Sequence, residues 1–450
     1  MMIEFIVISL FVILFVDYKT SKKRLSRPSI SYIAGFLLCA IVAYSWREEW
    51  GLRKMAYGTV FLFVGGALVF YLVEIYYIKI HPISLKIVEV KSDNFVPISS
   101  QKLVAFLFFQ VVVFYLYSRF KMSYVGTDDL STALGEVRMD ASFRDIEIKV
   151  PFYVGLPYGF CRAAGYIWTI LIPYYAMKSR CYNKQKILLI MNFIVCIIGV
   201  FLSGGRMGFL FYIIPLIFVY YILYQYMIGW KGGFFSKKVS LLIIIFSILF
   251  GGLFSQLGTL MGRQESTKTA NMIFSIYCGA QIKNMDDYIQ YSFKQGHEGE
   301  YFGQYTFKRV YKNFLDDLLG CKHRETDLSY FNSHGQYVLG NVYSTYQDYY
   351  IDFKYYGILL AGLMSLFVVF IYKRAVISHF WKDGRLSIWV MLYAYISHMP
   401  FLSFFANQFW GKISLLGDVY NVLYWFLLII FMQGSKTNYY KKLDSLNIKI

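Results

Sequence analysis

The 450-residue chain is 57% hydrophobic, 20% aromatic and only 16% charged, which excludes an ordinary soluble domain. Its formal net charge of +18 would suit a nucleic-acid partner, but the basic residues lie between apolar runs rather than in one patch. We therefore predict no nucleic-acid binding.

Apolar runs of about twenty residues recur along the chain, long enough to cross a hydrocarbon core of roughly 30 Å. A soluble helix would interrupt such runs with polar positions at helical period. We predict an all-α fold, a polytopic transmembrane bundle that forms a single integral membrane domain over residues 1–450. Its eleven predicted spans are Ile3–Val16, Ile30–Trp46, Ala56–Ile78, Leu103–Ser118, Phe152–Ala176, Ile187–Leu202, Gly208–Tyr226, Val239–Leu257, Phe353–Tyr372, Leu386–Phe405 and Ile413–Met432.

Lys and Arg concentrate in every second connection, beginning with the five basic residues between Lys19 and Arg27. Because basic connections stay in the cytoplasm, this alternation predicts an outside N-terminus and a cytoplasmic C-terminus. The opposite connections include a first outer loop at 119–150 and a large outer loop at 258–352, between spans eight and nine. The mixed charge and aromatic clusters of the large loop predict short helices packed on the membrane.

Three arginines are candidates for binding phosphate. Arg206 follows Ser203 and two glycines in a tight outer turn, and Arg263 follows span eight at a similar predicted depth. Arg162 lies inside span five, where a charge is costly and is either functional or paired within the bundle. Together these guanidinium groups would clamp a polyprenyl diphosphate, whereas the structural alternative for Arg206 is an arginine that snorkels to the interface.

The stretch 340–357 returns the chain to the membrane and carries tyrosines at helical spacing, Tyr349 among them. They form either an aromatic belt at the interface or a platform for sugar rings. Asp348 and Asp352 lie on one helical face at this membrane mouth, and His334 precedes them. Charges such as Arg138 in the first outer loop, and Arg309 in the large loop, also fit a solvated surface.

Motifs for other chemistry are missing from the sequence: it has no phosphate-binding loop, no dinucleotide fingerprint, no HExxH and no GxSxG. We expect no cofactor and no metal, since neither the six cysteines nor the carboxylates show ligand spacing. Cys278 and Cys321 are candidates for a disulfide if the large loop faces an oxidising space.

The motifs resemble those of Wzy-type O-antigen and capsular repeat-unit polymerases. The matching residues are Ser203, Gly205 and Arg206 in the outer turn, then Asn341, Val342, Tyr343, Asp352, Phe353 and Gly357 after the large loop. Lys354 stands where a glycine is expected after Asp-Phe.

The resemblance implies a GT-C-like glycosyltransferase acting at the outer face of a bacterial inner membrane. It would transfer a growing glycan from undecaprenyl diphosphate to the non-reducing end of another lipid-linked repeat unit, with inversion and without a metal. The implied partners are undecaprenyl-diphosphate-linked oligosaccharide and membrane lipids, with a chain-length regulator as a further candidate.

Under this hypothesis the predicted site residues take three roles. Diphosphate binding falls to Arg206, Arg263 and Arg162, and the catalytic base is Asp352, His334 or Asp348. Predicted glycan contacts are Arg138, Asn341, Tyr343 and Tyr349.

Three alternative functions stay open. One is an O-antigen ligase, although ligases tend to carry His-Asn where Gly340-Asn341 stands here. Another is a flippase for polyprenol-linked glycans, which would have short connections on both sides. The last is a non-catalytic assembly partner.

Overall fold

The computed structural model describes residues 2–83, 98–144, 146, 148–178, 183–231, 233, 258, 270–291, 301–315, 318, 331–377, 381–382 and 385–433. Within these residues seven helices are long and apolar enough to cross a membrane, and a shorter apolar helical segment covers Ile388–Leu402. These helices confirm the prediction of a helical, polytopic membrane protein as far as helix length and apolar composition go. The span count and the GT-C-like arrangement stay predictions.

The helices, numbered in chain order, are α1 Met2–Thr20, α2 Pro28–Ser45, α3 Tyr57–Val60, α4 Gly66–Ile80, α5 Ser100–Val125, α6 Leu130–Phe143, α7 Phe152–Lys178, α8 Asn183–Phe201, α9 Leu210–Met227, α10 Ala270–Cys278, α11 Ala280–Tyr291, α12 Lys308–Val310, α13 Tyr346–Phe353, α14 Ile358–Ile377, α15 Ile388–Ile396, α16 His398–Leu402 and α17 Leu415–Gln433. A π-helical turn, Phe61–Gly65, joins α3 to α4, and another, Tyr311–Leu315, follows α12. Turns of 3-10 helix at Arg206–Phe209 and Lys354–Gly357 precede α9 and α14.

Ten of the eleven predicted spans coincide with helices, while Val239–Leu257 lies outside the described residues. Several boundaries differ from the prediction by a few residues, and two of the differences change the connections. Helix α5 continues past Ser118 to Val125, so the first outer loop begins later than residue 119. The tenth span is divided into α15 and α16, which meet at Ser397.

Two short hairpins accompany the helices, and the structure stays consistent with the predicted all-α class. Strands β1 Asn332–His334 and β2 Tyr337–Gly340 pair antiparallel within the large loop. Strands β3 Trp381–Lys382 and β4 Arg385–Leu386 form a second short pair between α14 and α15. Both lie in connections, where the apolar periodicity that identifies spans carries no signal.

The apolar core has two main parts. One is built from α5, α7, α8, α9, α15 and α17 around buried side chains such as Trp168, Tyr212 and Trp425. The other is built from α1, α2, α3, α4, α13 and α16 around residues such as Phe36 and Tyr346. Helix α14 contributes to both parts, and it packs along α4.

The large loop is folded against one end of the bundle. Asp286 of α11 accepts hydrogen bonds from the Ala56 amide at 2.8 Å and from Thr59 Oγ1 at 2.7 Å, at the start of α3. Asn284 donates to the Val342 carbonyl at 2.8 Å. These contacts fix the described helices of the large loop to the bundle and define what we call the loop end of the bundle, and their position on a membrane surface stays a prediction.

Candidate functional site

Helix α13 binds two loops through its carboxylates. The Asp352 carboxylate accepts hydrogen bonds from the amides of Tyr305 at 3.3 Å and Thr306 at 2.6 Å. Asp348 Oδ2 accepts from Asn407 Nδ2 at 3.1 Å, and the same amide nitrogen lies 3.0 Å from the Thr306 carbonyl. The segment 301–315 and the connection 403–414 are therefore fixed to one another through α13.

These two loops bring basic side chains together. Lys308 Nζ lies 3.7 Å from Asp348 Oδ2, and Lys412 Nζ lies 3.7 Å from the centroid of the Phe211 ring. Burial, followed by the positive charges of Arg309, Arg162 and Lys308, lowers the pKa of Lys412 well below its ordinary value. We name Arg162, Lys308, Arg309 and Lys412 the cation cluster.

Arg162 reaches the cation cluster from α7. Its guanidinium carbon lies 5.8 Å from the centroid of the Tyr158 ring, and Tyr212 donates a hydrogen bond to its main-chain carbonyl at 2.8 Å. Its Nε is buried and has no hydrogen-bond partner among the described residues. A guanidinium nitrogen in that state is available to a ligand.

His398 of α16 adjoins the cation cluster. Its side chain is 2% exposed, its ring centroid lies 4.8 Å from that of Phe211, and it lies within range of the Lys412 charge. No hydrogen bond to its Nδ1 is present in the described part of the chain. The His398 Nδ1 is therefore a second buried polar atom next to the cation cluster, besides Arg162 Nε, that could bind a ligand.

The chemistry that fits the cation cluster is anion binding. Lys412 lies within electrostatic range of Arg162, Lys308 and Arg309. Lys412 and Arg162 are partly buried, whereas Lys308 is 35% exposed and Arg309 is exposed, so only the buried charges act more strongly than they would in water. Asp348, the carboxylate that contacts Lys308, neutralises only part of that charge. A phosphate or diphosphate group supplies the missing negative charge and accepts hydrogen bonds from Arg and Lys donors.

The turn that carries Arg206 is well defined in its backbone. Gly204 has φ of +79°, and a Cβ at that position would lie 3.4 Å from the Cβ of Arg138. Lys121 Nζ donates to the Leu202 carbonyl at 2.5 Å, which fixes the start of the turn. The side chain of Arg206 and the whole of Arg263 lie outside the described residues, so the clamp they were predicted to form stays a prediction.

The predicted glycan residues on the large loop pack against protein. Tyr343 is buried, with its ring centroid 6.0 Å from that of Tyr288, and Tyr349 is fully buried in the apolar core. Asn341 directly precedes Val342, whose main-chain carbonyl accepts the hydrogen bond from Asn284. Tyr356, by contrast, is exposed. The structure therefore favours a packing role for Tyr343 and Tyr349.

His334 lies on a different side of the loop end from the cation cluster. Its imidazole packs on the connection between α2 and α3, where a Cβ on Gly51 would lie 2.6 Å from its Nε2. No contact among the described residues joins it to Asp348 or Asp352. The three candidate bases are thus divided between two places.

Sequence reasoning missed Lys308, Lys412 and His398, whereas Arg309 is exposed, as its interpretation as a surface charge requires. Single basic residues next to spans usually anchor a helix at the interface, so no pattern in the sequence separates these from the others. The predicted Cys278–Cys321 disulfide stays untested, because Cys278 is a free thiol in the described part and Cys321 lies outside it.

Comparisons of the chain with protein-family models, curated proteins and solved structures find no match.

Proposed function

We propose that this protein polymerises lipid-linked oligosaccharide repeat units. It transfers the growing glycan from one undecaprenyl diphosphate to the non-reducing end of another undecaprenyl-diphosphate-linked unit, at the outer face of a bacterial inner membrane. The observation that supports this most is the cation cluster at the loop end of a membrane-spanning bundle, where the head group of such a lipid would lie.

The reaction needs stabilisation of its leaving group. An acceptor hydroxyl oxygen attacks the anomeric carbon, the bond from that carbon to the diphosphate oxygen breaks, and the electron pair remains on the diphosphate. Negative charge therefore develops where the cation cluster would bind, and preorganised donors at such a position lower the barrier. Attack opposite the leaving group inverts the anomeric centre.

The acceptor hydroxyl loses its proton to a base in this reaction. Among the three predicted bases, Asp348 lies beside the cation cluster through Lys308, whereas both oxygens of the Asp352 carboxylate accept backbone hydrogen bonds. Asp348 is therefore the base that the geometry favours, and Asp352 positions the loop that carries Lys308 and Arg309.

The rival functions are less well supported by the chain. Gly340 precedes Asn341 where a ligase tends to have histidine. The large loop is folded into helices and a hairpin on the bundle, which suits an enzyme that binds a glycan better than a flippase.

Deletion of the gene in the native host, followed by sizing of the surface glycan on a gel, tests the proposal. Single repeat units in place of a ladder are expected. Unattached polymer would indicate a ligase, and lipid-linked units retained in the cytoplasm would indicate a flippase.

Complementation of the deletion strain with point variants tests the cation cluster itself. Arg309→Gln and Lys412→Met are expected to yield single units at normal protein abundance. The matched control is Arg144→Gln, because Arg144 forms exposed ion pairs with Glu136 and Asp140 on α6. A normal ladder from both cluster variants would remove the diphosphate site from the proposal.

A further inference from the structure

A second site lies at the end of the bundle opposite the loop end. Helices α4 and α14 are parallel neighbours, since Ser365 contacts Phe70 and Lys373 contacts Tyr77, and an apolar groove of about 440 Å³ opens between them. Its walls include Leu72, Tyr76, Tyr77, Ile80, His81 and Leu366. This volume falls in the range of small-molecule sites.

The groove faces outward from the bundle. Leu72 is 52% exposed and Tyr76 is 67% exposed, and both lie on the stretch of α4 that belongs to a candidate membrane span. From Leu72 to Ile80 the helix rises by roughly 12 Å, which matches part of one acyl chain lying along it. In a bilayer, lipid is therefore the component that this apolar surface meets.

Basic side chains surround the mouth of the groove. Lys79 and His81 end α4, and Lys373 of α14 places its Nζ 5.9 Å from the centroid of the Tyr77 ring. The His81 ring centroid lies 4.9 Å from the same tyrosine ring. Lys79 on α4 and Lys373 on α14 thus belong to the two helices between which the groove opens.

Within the part of the chain that the structure describes, no carboxylate pairs with the basic side chains at this mouth. None of the ion pairs between described residues involves Lys79, His81 or Lys373. The acid of α4, Glu74, is buried on another face and accepts from Arg27 Nε at 2.7 Å. An anion at the mouth would therefore meet uncompensated positive charge.

We propose that the α4–α14 groove binds one anionic phospholipid, with an acyl chain along the groove and the phosphate between Lys79, His81 and Lys373. Basic pockets between transmembrane helices on the cytoplasmic side are suited to such head groups. Since the predicted topology places this end in the cytoplasmic leaflet, the lipid belongs to that leaflet and is distinct from the glycan-bearing substrate.

Native mass spectrometry of the full-length protein in mild detergent tests this. Titration with phosphatidylglycerol and with phosphatidylcholine of the same acyl chains should show one retained phosphatidylglycerol, bound in clear preference to phosphatidylcholine. The double variant Lys79→Gln/Lys373→Gln should lose about fivefold in phosphatidylglycerol affinity for each removed charge. Lys79→Arg/Lys373→Arg should keep the preference.

The matched control is Lys184→Gln, because Lys184 is exposed near the start of α8 and lies outside the groove. Equal retention of the two lipids by the wild-type protein would overturn the proposal, and so would an equal loss in the control. Preferential retention of undecaprenyl phosphate, removed by the same double variant, would make the groove a substrate-lipid site instead. If the glutamine variant does not fold, the lipid preference of the wild-type protein and of the arginine variant still tests whether the groove binds phosphatidylglycerol selectively.

Discussion

Lys412 illustrates how tertiary contacts set the chemistry of a single residue. In the sequence it is one lysine in the connection before the last helix. In the fold its ammonium group lies over the Phe211 ring and near Arg162, Lys308, Arg309 and His398. Burial and like charge disfavour its protonated form, which a bound diphosphate would restore.

A pH dependence of lipid-diphosphate binding follows from Lys412. Its pKa is lowered in the empty site and rises when the anion binds, so binding takes up a proton between the two values. Affinity should therefore be highest below the lowered pKa and fall as pH rises through this window. Asp348 and His398 also adjoin the cluster, so a second variant is needed to assign the effect.

Lys412→Arg provides that assignment, because arginine stays charged throughout the range. Binding of undecaprenyl diphosphate, measured as a function of pH, should lose much of its pH dependence in this variant. Lys412→Met should weaken binding by roughly 10- to 100-fold at low pH, as expected for one charge-assisted contact. An unchanged slope in Lys412→Arg would assign the titration to another group.

Lys354 has backbone angles that favour glycine. Its φ is +51° and its ψ is −134°, at the break between α13 and the 3-10 turn before α14. A residue with a Cβ is destabilised by about 1–3 kcal/mol at these sparsely populated backbone angles.

We expect Lys354→Gly to stabilise the protein by about 1 kcal/mol, since relief of strain exceeds the added chain entropy. Lys354→Ala is the matched control, because it removes the ammonium group 5.4 Å from the Tyr350 ring centroid and keeps the strained backbone. The alanine variant should be slightly less stable than the wild type. Thermal unfolding in detergent measures the stability of both variants. A glycine variant less stable than the wild type would show that the Lys354 backbone is not strained.

At the scale of elements, the short helix α13 connects the membrane bundle to the large loop. Its buried tyrosines Tyr346 and Tyr349 lie in the core, and its carboxylates Asp348 and Asp352 face the loops. A helical spacing of four residues places both acids on the same face. The helix therefore positions the loop residues of the cation cluster relative to Lys412.

Asp352→Asn tests whether this acid positions the loop or takes the proton. The amide oxygen can accept only one of the two backbone hydrogen bonds in the same way, and a buried amide left unpaired costs about 1–3 kcal/mol. We expect lower thermal stability and a raised KM for the lipid-linked acceptor. Asp128→Asn, at an exposed position before α6, should change neither. A variant of normal stability that has lost only kcat would assign Asp352 as the base.

At the scale of the whole molecule, an ion cluster joins three helices at the end opposite the large loop. Arg27 Nε lies 2.7 Å from Glu74 Oε1, and its NH1 lies 3.4 Å from Asp17 Oδ1. Glu74 Oε2 also accepts from the Ser29 amide at 2.7 Å. All three charged side chains are buried, so the start of α2 is tied to α1 and α4.

Arg27→Met should destabilise the bundle by about 3–5 kcal/mol, because it leaves two buried carboxylates without a counterion. The control is Arg53→Met, which removes an ion pair with Glu48 from an arginine side chain that is 76% exposed and should cost at most about 1 kcal/mol. Differential scanning fluorimetry of both variants in the same detergent provides the comparison. Similar melting temperatures for the two variants would show that the buried cluster contributes little.

The amino-acid sequence by itself determined the helical membrane class, the positions of most long helices and the presence of short helices in the described parts of the large loop. These features depend on local composition: twenty apolar residues form a helix in lipid whatever their neighbours are. It also identified Arg162, Asp348 and Asp352 as unusual, because a charge inside or beside a span is costly.

Only the tertiary structure decided which charges meet. Arg162, Lys308, Arg309 and Lys412 belong to three separated parts of the chain, and no spacing along the sequence relates them. The fold likewise buried Tyr343 and Tyr349 and placed His334 against Gly51, away from the carboxylates. The reason is physical: electrostatic coupling depends on distance in space and on burial, and both are set by how the helices pack.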